Sequence, residues 1–338
     1  MKRLLVFTVC CAIFTCSAAA APFAYITNEI DDTVSVIDTA SNTVIATVKT
    51  GDEPRGVGVS PDGRLVFVAN YQGGSVSVID TAENKVIVTI PVGQGPQCAT
   101  VSPDGKHVYV TNFKDDNVSV IGTGDNKVRT KIRVGSGPDG VAVSPDGKFV
   151  YTASFNDDNV SVIDTSQNKV TASVPVGHKP SGITVSANGK FVYVTNVSSD
   201  TVSVIRTSDN TMIHTFRAGT LPAGLVTSAD GKVLYVTNSG SSDVSVIDTS
   251  LYTVKKTIPA GSLASGVDLT PDGKFLYVVN SGDKTVSVID TVGKKVITTV
   301  NVGNSPLAIG KFITQGSPVT VSPTPGPAAT APAPPHHQ

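Results

Sequence analysis

The sequence predicts an all-β fold, a seven-bladed β-propeller whose blades are four-stranded antiparallel sheets. Two markers recur with a period of 42 residues, and a period of about 40 residues with several short strands per unit is typical of a propeller. The first marker is an aromatic residue, at Tyr25, Phe67, Tyr109, Tyr151, Tyr193, Tyr235 and Tyr277. The second is a proline, at Pro54, Pro96, Pro138, Pro180, Pro222 and Pro306, with Ala264 in the seventh position. A third observation is that the two ends of the repeat region are complementary fragments.

The fragments at the two ends add up to one unit. The segment 23–28 is the aromatic-led strand without the proline segment that precedes it elsewhere. The segment 306–312 is that proline segment with no aromatic-led strand after it. Six complete units lie between them. We therefore expect a closed ring of seven blades in which the C-terminal strand completes the blade that the N-terminus begins.

Each unit is predicted to contain four strands, here called a to d. In the unit that begins at Pro138 they are a (140–144), b (149–154), c (159–164) and d (169–176). Val, Ile, Thr, Tyr and Phe dominate them, as expected of a packed pleated surface. Strand b is almost continuously apolar, which indicates cover on both faces. The a–b turn reads Ser-Pro-Asp-Gly or a close variant, in which Pro presets φ and Gly takes the left-handed position.

The sequence divides into three parts. Residues 1–20 are predicted to be a secretory signal peptide, with Lys2 and Arg3 before an apolar stretch and small residues at Ala18 to Ala20. Residues 21–314 form the propeller. Residues 315–338 are a disordered tail rich in Pro, Ala and Thr. The sequence therefore predicts a secreted protein of the periplasm or cell surface, without a transmembrane segment.

Composition excludes some partners. The chain has 338 residues, of which 40% are hydrophobic and 16% charged, and its net charge is −1. No run of basic residues stands out, so nucleic acid is not an expected partner. After loss of the leader Cys98 is the one remaining cysteine, and no internal disulfide can form. We expect a monomeric propeller.

The repeat resembles the YVTN β-propeller repeat family. The likeness rests on the consensus Pro-x-Gly-Val-Ala-Val-Ser-Pro-Asp-Gly-Lys-x-Val-Tyr-Val-Thr-Asn, followed by Val-Ser-Val-Ile-Asp-Thr, which recurs in register from about Phe23 to Phe312. The resemblance implies a seven-bladed propeller in an exported prokaryotic protein. Distant propeller relatives include lactonases and subunits of redox enzymes, but no functional motif of either group is present here.

The two faces of the predicted ring differ in how much they vary between units. Because the strands of a blade alternate in direction, the a–b and c–d turns share one face, here called the turn face. The d–a and b–c loops share the other, here called the loop face. The turns are nearly the same in every unit, whereas the loops differ. Recognition in rigid scaffolds is carried by such variable loops.

The candidate binding residues all lie on the loop face. They are bulky, charged or hydrogen-bonding on blades two to five and apolar on blades six, seven and one. The predicted set is Arg55, Tyr71, Gln97, Phe113, Lys114, Asp115, Asp139, Phe155, His178, Lys179, Leu221, Leu263 and Leu307. We expect a ligand with a polar and an apolar part, its anionic group paired with Arg55 and oriented by Gln97 and Asp139. The alternative is that these loops vary because nothing constrains them.

No catalytic residue, metal site or cofactor is predicted. Cys98 takes a position that is Gly in most units, and we interpret it as a small buried thiol. His178 lies two blades away from it, too far for a dyad. The leading hypothesis is a non-catalytic exported propeller that binds a protein or small molecule. The alternatives are a lactonase-like hydrolase, a redox-enzyme accessory subunit, or a cell-surface adhesion protein attached through its tail.

Overall fold

Seven antiparallel sheets surround a central channel in a computed structural model that describes residues 22–316. The predicted leader and residues 317–338 of the predicted tail lie outside the described residues. Each complete blade runs a, b, c, d from the channel outward, and successive a strands contact one another around the ring. The predicted seven-bladed propeller of four-stranded antiparallel blades is confirmed.

The strands keep the 42-residue period along the chain. Blade 1 contains β1 (Phe23–Asn28), β2 (Thr33–Asp38) and β3 (Thr43–Lys49). Blades 2 and 3 contain β4 (Pro54–Val59), β5 (Leu65–Asn70), β6 (Ser75–Asp80), β7 (Lys85–Pro91), β8 (Pro96–Val101), β9 (His107–Asn112), β10 (Asn117–Gly122) and β11 (Lys127–Arg133). Blades 4 and 5 contain β12 (Pro138–Val143), β13 (Phe149–Ser154), β14 (Asn159–Asp164), β15 (Lys169–Pro175), β16 (Pro180–Val185), β17 (Phe191–Asn196), β18 (Thr201–Arg206) and β19 (Thr211–Arg217). Blades 6 and 7 contain β20 (Pro222–Thr227), β21 (Val233–Asn238), β22 (Asp243–Asp248), β23 (Thr253–Pro259), β24 (Ala264–Leu269), β25 (Phe275–Asn280), β26 (Thr285–Asp290) and β27 (Lys295–Asn301), and β28 (Ile309–Lys311) comes after them.

The core lies between the faces of neighbouring blades. Five of the six residues of each b strand are buried, as the continuous apolar pattern predicts for a strand covered on both sides. The outermost d strands are exposed along most of their length, because nothing packs beyond them. A short 3₁₀ helix, Val197–Ser199, lies in the b–c loop of blade 5. Among residues 22–316, no helix has the length and apolar character of a membrane span.

The turn face owes its regularity to local hydrogen bonds. In the a–b turn of blade 3 the Ser102 hydroxyl donates to Asp104 at 2.6 Å and accepts from the backbone N–H of His107 at 3.0 Å. Gly105 comes next with φ of +71°, a conformation that a Cβ atom would disfavour. The same Ser–Asp pair recurs in blades 2, 4 and 6. The side chains of this face are therefore occupied in making turns.

The chain ends meet in blade 1. Pro306 pairs with Asn28 and Ile313 with Ala24, both antiparallel to β1. The N–H of Tyr25 donates to the Phe312 carbonyl, and the N–H of Thr314 donates to the Phe23 carbonyl, each at 2.9 Å. The closing strand is longer than the sequence suggests. It reaches Thr314 rather than ending at Phe312, and its middle leaves blade 1 to pair, as β28, in parallel with β4.

Candidate functional site

A ring of seven side chains surrounds the loop-face mouth of the channel. Each comes from the residue immediately after the proline position at the start of strand a: Arg55, Gln97, Asp139, Ser181, Ala223, Ser265 and Leu307. Threonines of the preceding blades fix the backbone here. The hydroxyl of Thr27 donates to the Arg55 carbonyl and that of Thr111 to the Asp139 carbonyl, each at 2.7 Å. The scaffold thus holds these side chains at defined positions.

The terminal nitrogens of Arg55 are engaged with neighbouring side chains, whereas its Nε atom is buried without a hydrogen-bond partner. Its Nη2 atom lies 2.7 Å from Oε1 of Glu29 and 3.6 Å from Oε2 of Glu53. Its Nη1 atom donates to Oε1 of Gln97 at 3.1 Å, and the guanidinium carbon lies 3.5 Å from the centre of the Tyr71 ring. The sequence analysis expects the positive charge of Arg55 to pair with an anionic ligand. In the structure two carboxylates, Glu29 and Glu53, already balance that charge. A second anion at Arg55 would have to displace them.

Asp139 is the buried carboxyl of the ring. Only 6% of its surface is exposed, and its Oδ1 atom is buried without a hydrogen-bond partner. Burial raises the pKa of Asp139. Hydrogen bonds from Ser181 and Gln97 and the positive charge of Arg55 oppose the rise. A buried polar atom without a partner costs about 1–3 kcal/mol. Asp139 lines the cavity, and a small rotation of its carboxyl group would bring the unpaired Oδ1 atom to a hydrogen-bond donor in the channel.

The channel contains a cavity of about 640 Å³ on the side of blades 3 to 7. Its polar wall includes Gln97, Asp139 and Ser181, and its apolar wall is made by valine, isoleucine and leucine side chains of strands β12, β16, β20 and β24. Leu263 and Leu307, predicted as apolar site residues, also line it. Its size and mixed walls are typical of small-molecule sites.

The rim of the loop face carries the predicted aromatic and basic residues in two groups. Tyr71 has the Nζ of Lys114 at 4.5 Å from its ring centre, on the same ring that Arg55 contacts. The rings of Phe113 and Phe155 lie 6.1 Å apart. The Nζ of Lys179 lies 5.2 Å from the Phe155 ring centre. Equivalent b–c loop positions in blades 2, 3 and 4 thus form an arc of aromatic rings next to the channel mouth.

Three predicted residues have local structural contacts instead. One carboxylate oxygen of Asp115 accepts from the backbone N–H of Gln94 at 2.9 Å and so fixes a d–a loop. Nδ1 of His178 lies 2.7 Å from Oδ2 of Asp158, on an exposed part of the rim. Leu221 is 42% exposed in a loop where it adopts a φ of +50°. None of these three lines the cavity.

Cys98 lies in the wall of the cavity but is buried. It is 1% exposed, and burial raises the pKa of its thiol to about 12. The Sγ atom lies 3.8 Å from the carbonyl oxygen of Ile309 in β28. A thiol with this pKa holds almost no thiolate at neutral pH, which suits a packing residue. In residues 22–316 no group of His, Cys, Asp and Glu is arranged to hold a metal ion.

Sequence reasoning missed two residues of the channel, Asp268 and Lys311. Oδ2 of Asp268 accepts from the backbone N–H groups of Phe312 at 3.0 Å and Ile313 at 2.9 Å. Lys311 lines the cavity from β28. One signal was present for Asp268, since other units have Gly, Thr, Ala or Val at this point of strand a. The sequence does not single out Lys311. A residue-by-residue match of segment 306–312 to the repeat assumes that the closing strand has the regular length, so it does not reveal the extra residues.

The comparisons with known proteins agree on the architecture. In the search of curated proteins, none matches this chain. Three solved structures are similar: a chain of hydrazine synthase from Kuenenia stuttgartiensis (24% identity, TM-score 0.71, covering 85% of this chain and 99% of that chain); a functionally unknown protein from Desulfotomaculum acetoxidans (17%, 0.74, 86% and 100%); and a candidate 6-phosphogluconolactonase from Bacteroides uniformis (19%, 0.73, 85% and 98%). At these identities the likeness shows the fold alone.

A family model identifies the chain more specifically. The model described as "Lactonase, 7-bladed beta-propeller" matches residues 17–253 and 90–305, two overlapping stretches that together span most of the sequence. The overlap is what a repeated unit produces, since the model can be laid on the ring in more than one register. With the seven blades and the channel described above, the chain belongs to the lactonase family of seven-bladed β-propellers.

Proposed function

We propose that this protein binds a small hydroxylated molecule in its central channel, reached from the loop face, with Asp139 as the anchor. The observation that carries the proposal is that Asp139 lines the cavity while its buried Oδ1 atom has no hydrogen-bond partner. A ligand hydroxyl that donates to this atom after a small rotation of the carboxyl group recovers the cost of leaving the atom unpaired. Water recovers the same cost, so affinity requires further contacts.

Those further contacts come from the two kinds of wall. Gln97 and Ser181 hydrogen-bond to Asp139 and line the cavity beside it, so a ligand hydroxyl can donate to the Ser181 oxygen and a ligand oxygen can accept from the second N–H of the Gln97 amide. Ile183, Leu225 and Val267 offer an apolar surface to the carbon skeleton. A polyol or sugar derivative has this division of polar and apolar surface, and no charged group of the mouth is needed to hold it.

Hydrolysis of a lactone is the second candidate function, favoured by the family and by the raised pKa of Asp139. A carboxylate with a raised pKa is a better general base near neutral pH. In this reaction Asp139 would take a proton from water while the water oxygen attacks the lactone carbonyl carbon. The ring C–O bond would then break and the departing oxygen would take the proton back from Asp139, which gives a hydroxy acid and restores the carboxylate. The candidate 6-phosphogluconolactonase among the similar structures is consistent with such a substrate.

We also propose that the protein is exported and belongs to the YVTN type within its family. The proposal depends on the predicted leader of residues 1–20 and on the repeat consensus. In this proposal the tail from residue 315 spaces the propeller from its attachment or its partner. Fractionation of native cells, with detection of the mature N-terminus by mass spectrometry, tests the location.

Calorimetric titration tests the binding proposal and separates it from catalysis. The probes are D-glucitol and D-glucono-1,5-lactone, and ring opening of the lactone is measured by base uptake at constant pH. Asp139→Ala removes the acceptor and is expected to weaken glucitol binding more than tenfold. Asp139→Asn keeps an acceptor but cannot take a proton, so it keeps most of the binding and loses any catalysed ring opening.

Asp52→Asn, on the exposed part of the same face, is the matched control and should behave as wild type. Circular dichroism confirms that each variant is folded. The binding proposal fails if folded wild type binds neither probe, or if Asp139→Ala binds glucitol as wild type does. The hydrolase candidate fails if wild type opens the lactone no faster than buffer.

A further inference from the structure

The closing strand of blade 1 contains an insertion relative to the regular inner strand of blade 4. Two equivalent pairings fix its extent. Pro306 pairs with Asn28 as Pro138 pairs with Ser154, and Ile313 pairs with Ala24 as Val143 pairs with Val150. Ile313 is seven positions beyond Pro306, whereas Val143 is five positions beyond Pro138. The inner strand of blade 1 is therefore two residues longer.

The insertion lies between Ala308 and Phe312. The N–H of Ala308 donates to Thr27 Oγ1 at 2.8 Å, as the N–H of Gly182 donates to Thr195 in blade 5. The Phe312 carbonyl accepts from Tyr25, the residue that marks the next regular position. Ile309, Gly310 and Lys311 therefore stand where a regular inner strand has one residue.

The inserted residues extend into the channel. Gly310 has φ of +104°, and Ala308 has φ of +49°, which together turn the chain out of the blade and back. Ile309 to Lys311 then pair with the channel-facing edge of β4 and cover it. The cavity is consequently bounded by β28 in place of β4, and Lys311 belongs to its wall.

Lys311 is the cation among the cavity-lining residues that the structure describes. Its side chain is exposed to the solvent of the channel, and within residues 22–316 it forms no ion pair. The nearby Asp268 carboxylate is engaged by the backbone N–H groups of Phe312, Ile313 and Leu269. Arg55 at the mouth is paired with Glu29 and Glu53, so Lys311 is the cation that the described cavity wall offers to a ligand inside the channel.

We infer that Lys311 binds an oxyanion group, carboxylate or phosphate, of the molecule that occupies the channel. A lysine ammonium recognises such a group as a point charge, without the fixed two-point geometry that an arginine imposes. The inference rests on the proposed function, because it assigns the opposite end of a ligand whose hydroxyls face Asp139. It identifies the ligand class as hydroxylated acids or phosphate esters rather than neutral polyols.

Calorimetry with a matched pair of probes tests the assignment. D-gluconate and D-glucitol share a six-carbon polyol chain and differ in the carboxylate. Wild type is expected to bind gluconate at least tenfold more tightly than glucitol. Lys311→Met keeps much of the length of the side chain and removes the charge, so it should bind gluconate no more tightly than glucitol. Lys274→Met, at an exposed a–b turn, is the control and should match wild type.

A second measurement separates failure of this inference from failure of the proposed function. Inorganic phosphate alone should slow acetylation of Lys311 by acetic anhydride, read by mass spectrometry, and leave acetylation of Lys274 unchanged. Protection by phosphate supports the anion site even if no polyol binds. The role of Lys311 is overturned if wild type binds gluconate and glucitol with equal measurable affinity, or if phosphate gives no protection. The Asp139 proposal is then judged by its own titration.

Discussion

The innermost strands of blades 4 and 1 belong to one ring and yet make opposite contributions to the channel. Strand β12 of blade 4 is regular and places a buried carboxyl, Asp139, in the wall. The closing strand of blade 1 carries Leu307 at the equivalent position and pushes Lys311 into the channel through an insertion. A repeated scaffold has thus become asymmetric around its axis, with a hydrogen-bond acceptor in one part of the wall and a cation in another.

The asymmetry arises where the repeat is least constrained. Each other a strand is joined through the chain to a d strand before it and a b strand after it, so its length is fixed at both ends. The closing strand is joined in this way to β27 alone, because the b strand of its own blade, β1, lies at the start of the propeller. Extra residues there bend inward without displacing a neighbouring strand. Blade 1 therefore joins two roles, closure of the ring and shaping of the site, that the other blades keep apart.

Removal of the closing strand should have the largest effect. A chain that ends at Asn304 lacks Phe312 and Ile313, which are 0% and 1% exposed, and leaves the inner edge of β1 unpaired. Truncating one buried phenylalanine costs about 3–5 kcal/mol, so we expect a loss of more than about 5 kcal/mol in the free energy of unfolding. Urea unfolding monitored by circular dichroism measures it. A chain that ends at Gly316 is the control and should unfold as wild type does; equal stability of both would show that the ring does not need its closing strand.

Asp268, which holds the closing strand, should make stability depend on pH. Burial raises its pKa from 3.8 to about 6, although the charge of Lys311 and three backbone N–H groups oppose the rise. Because the folded state binds this proton more tightly, the stabilisation is full below pH 3.8 and is lost as the pH rises through 6. The free energy of unfolding of wild type minus that of Asp268→Asn should fall by about 3 kcal/mol between about pH 4 and pH 7. A difference that is flat over this range would contradict the shifted pKa.

The asparagine that ends each b strand permits a direct comparison of closed and continuous blades. In blade 1 the Asn28 side chain accepts from the N–H of Gly303 at 2.9 Å, across the junction of the two chain ends. In blade 3 Asn112 accepts from Gly93 at 3.0 Å. Each also donates to two side-chain oxygens of its c strand, so Asn→Ala should cost about 1–3 kcal/mol in either blade. Equal losses in urea unfolding would show that the closed blade is as tightly hydrogen-bonded as a continuous one, and a much smaller loss for Asn28→Ala would show a loose junction.

Most of the fold can be predicted from the sequence, because the same strand and turn motifs recur in every unit or nearly every unit. Its aromatic-led strand, its Pro and its Ser-Pro-Asp-Gly turn each appear in several units, so one exception does not obscure the pattern. The place of Asp139 at the channel mouth follows from its position in the repeat, immediately after the proline of its unit. The pairing of Arg55 with Glu29 could not be predicted in this way, since Glu29 lies in a different blade and a loop outside the repeat consensus. Lys311 was hidden for a related reason, because an insertion in a single copy has no second copy to reveal it.

Shortening the insertion should have the smallest effect on stability and the clearest effect on the channel. Deletion of Gly310 and Lys311 leaves Pro-Leu-Ala-Ile-Phe-Ile-Thr, which matches Pro-Asp-Gly-Val-Ala-Val-Ser of blade 4 position for position. Both pairings that close the ring are retained, and the left-handed backbone at Ala308 is no longer needed. We expect a change of less than about 1 kcal/mol in the free energy of unfolding, since no buried side chain is lost.

Cys98 reports whether the shortened strand opens the channel. Its Sγ atom lies 3.8 Å from the Ile309 carbonyl, which the deletion draws back into blade 1. Labelling by a thiol reagent should be slow in wild type and at least tenfold faster in the deletion variant, with Cys98→Ala as the blank. If labelling stays slow while the fold is intact, the neighbouring blades rather than the insertion bury the thiol. If the variant loses several kcal/mol, the insertion is part of the closure itself, and the two roles assigned to blade 1 are one.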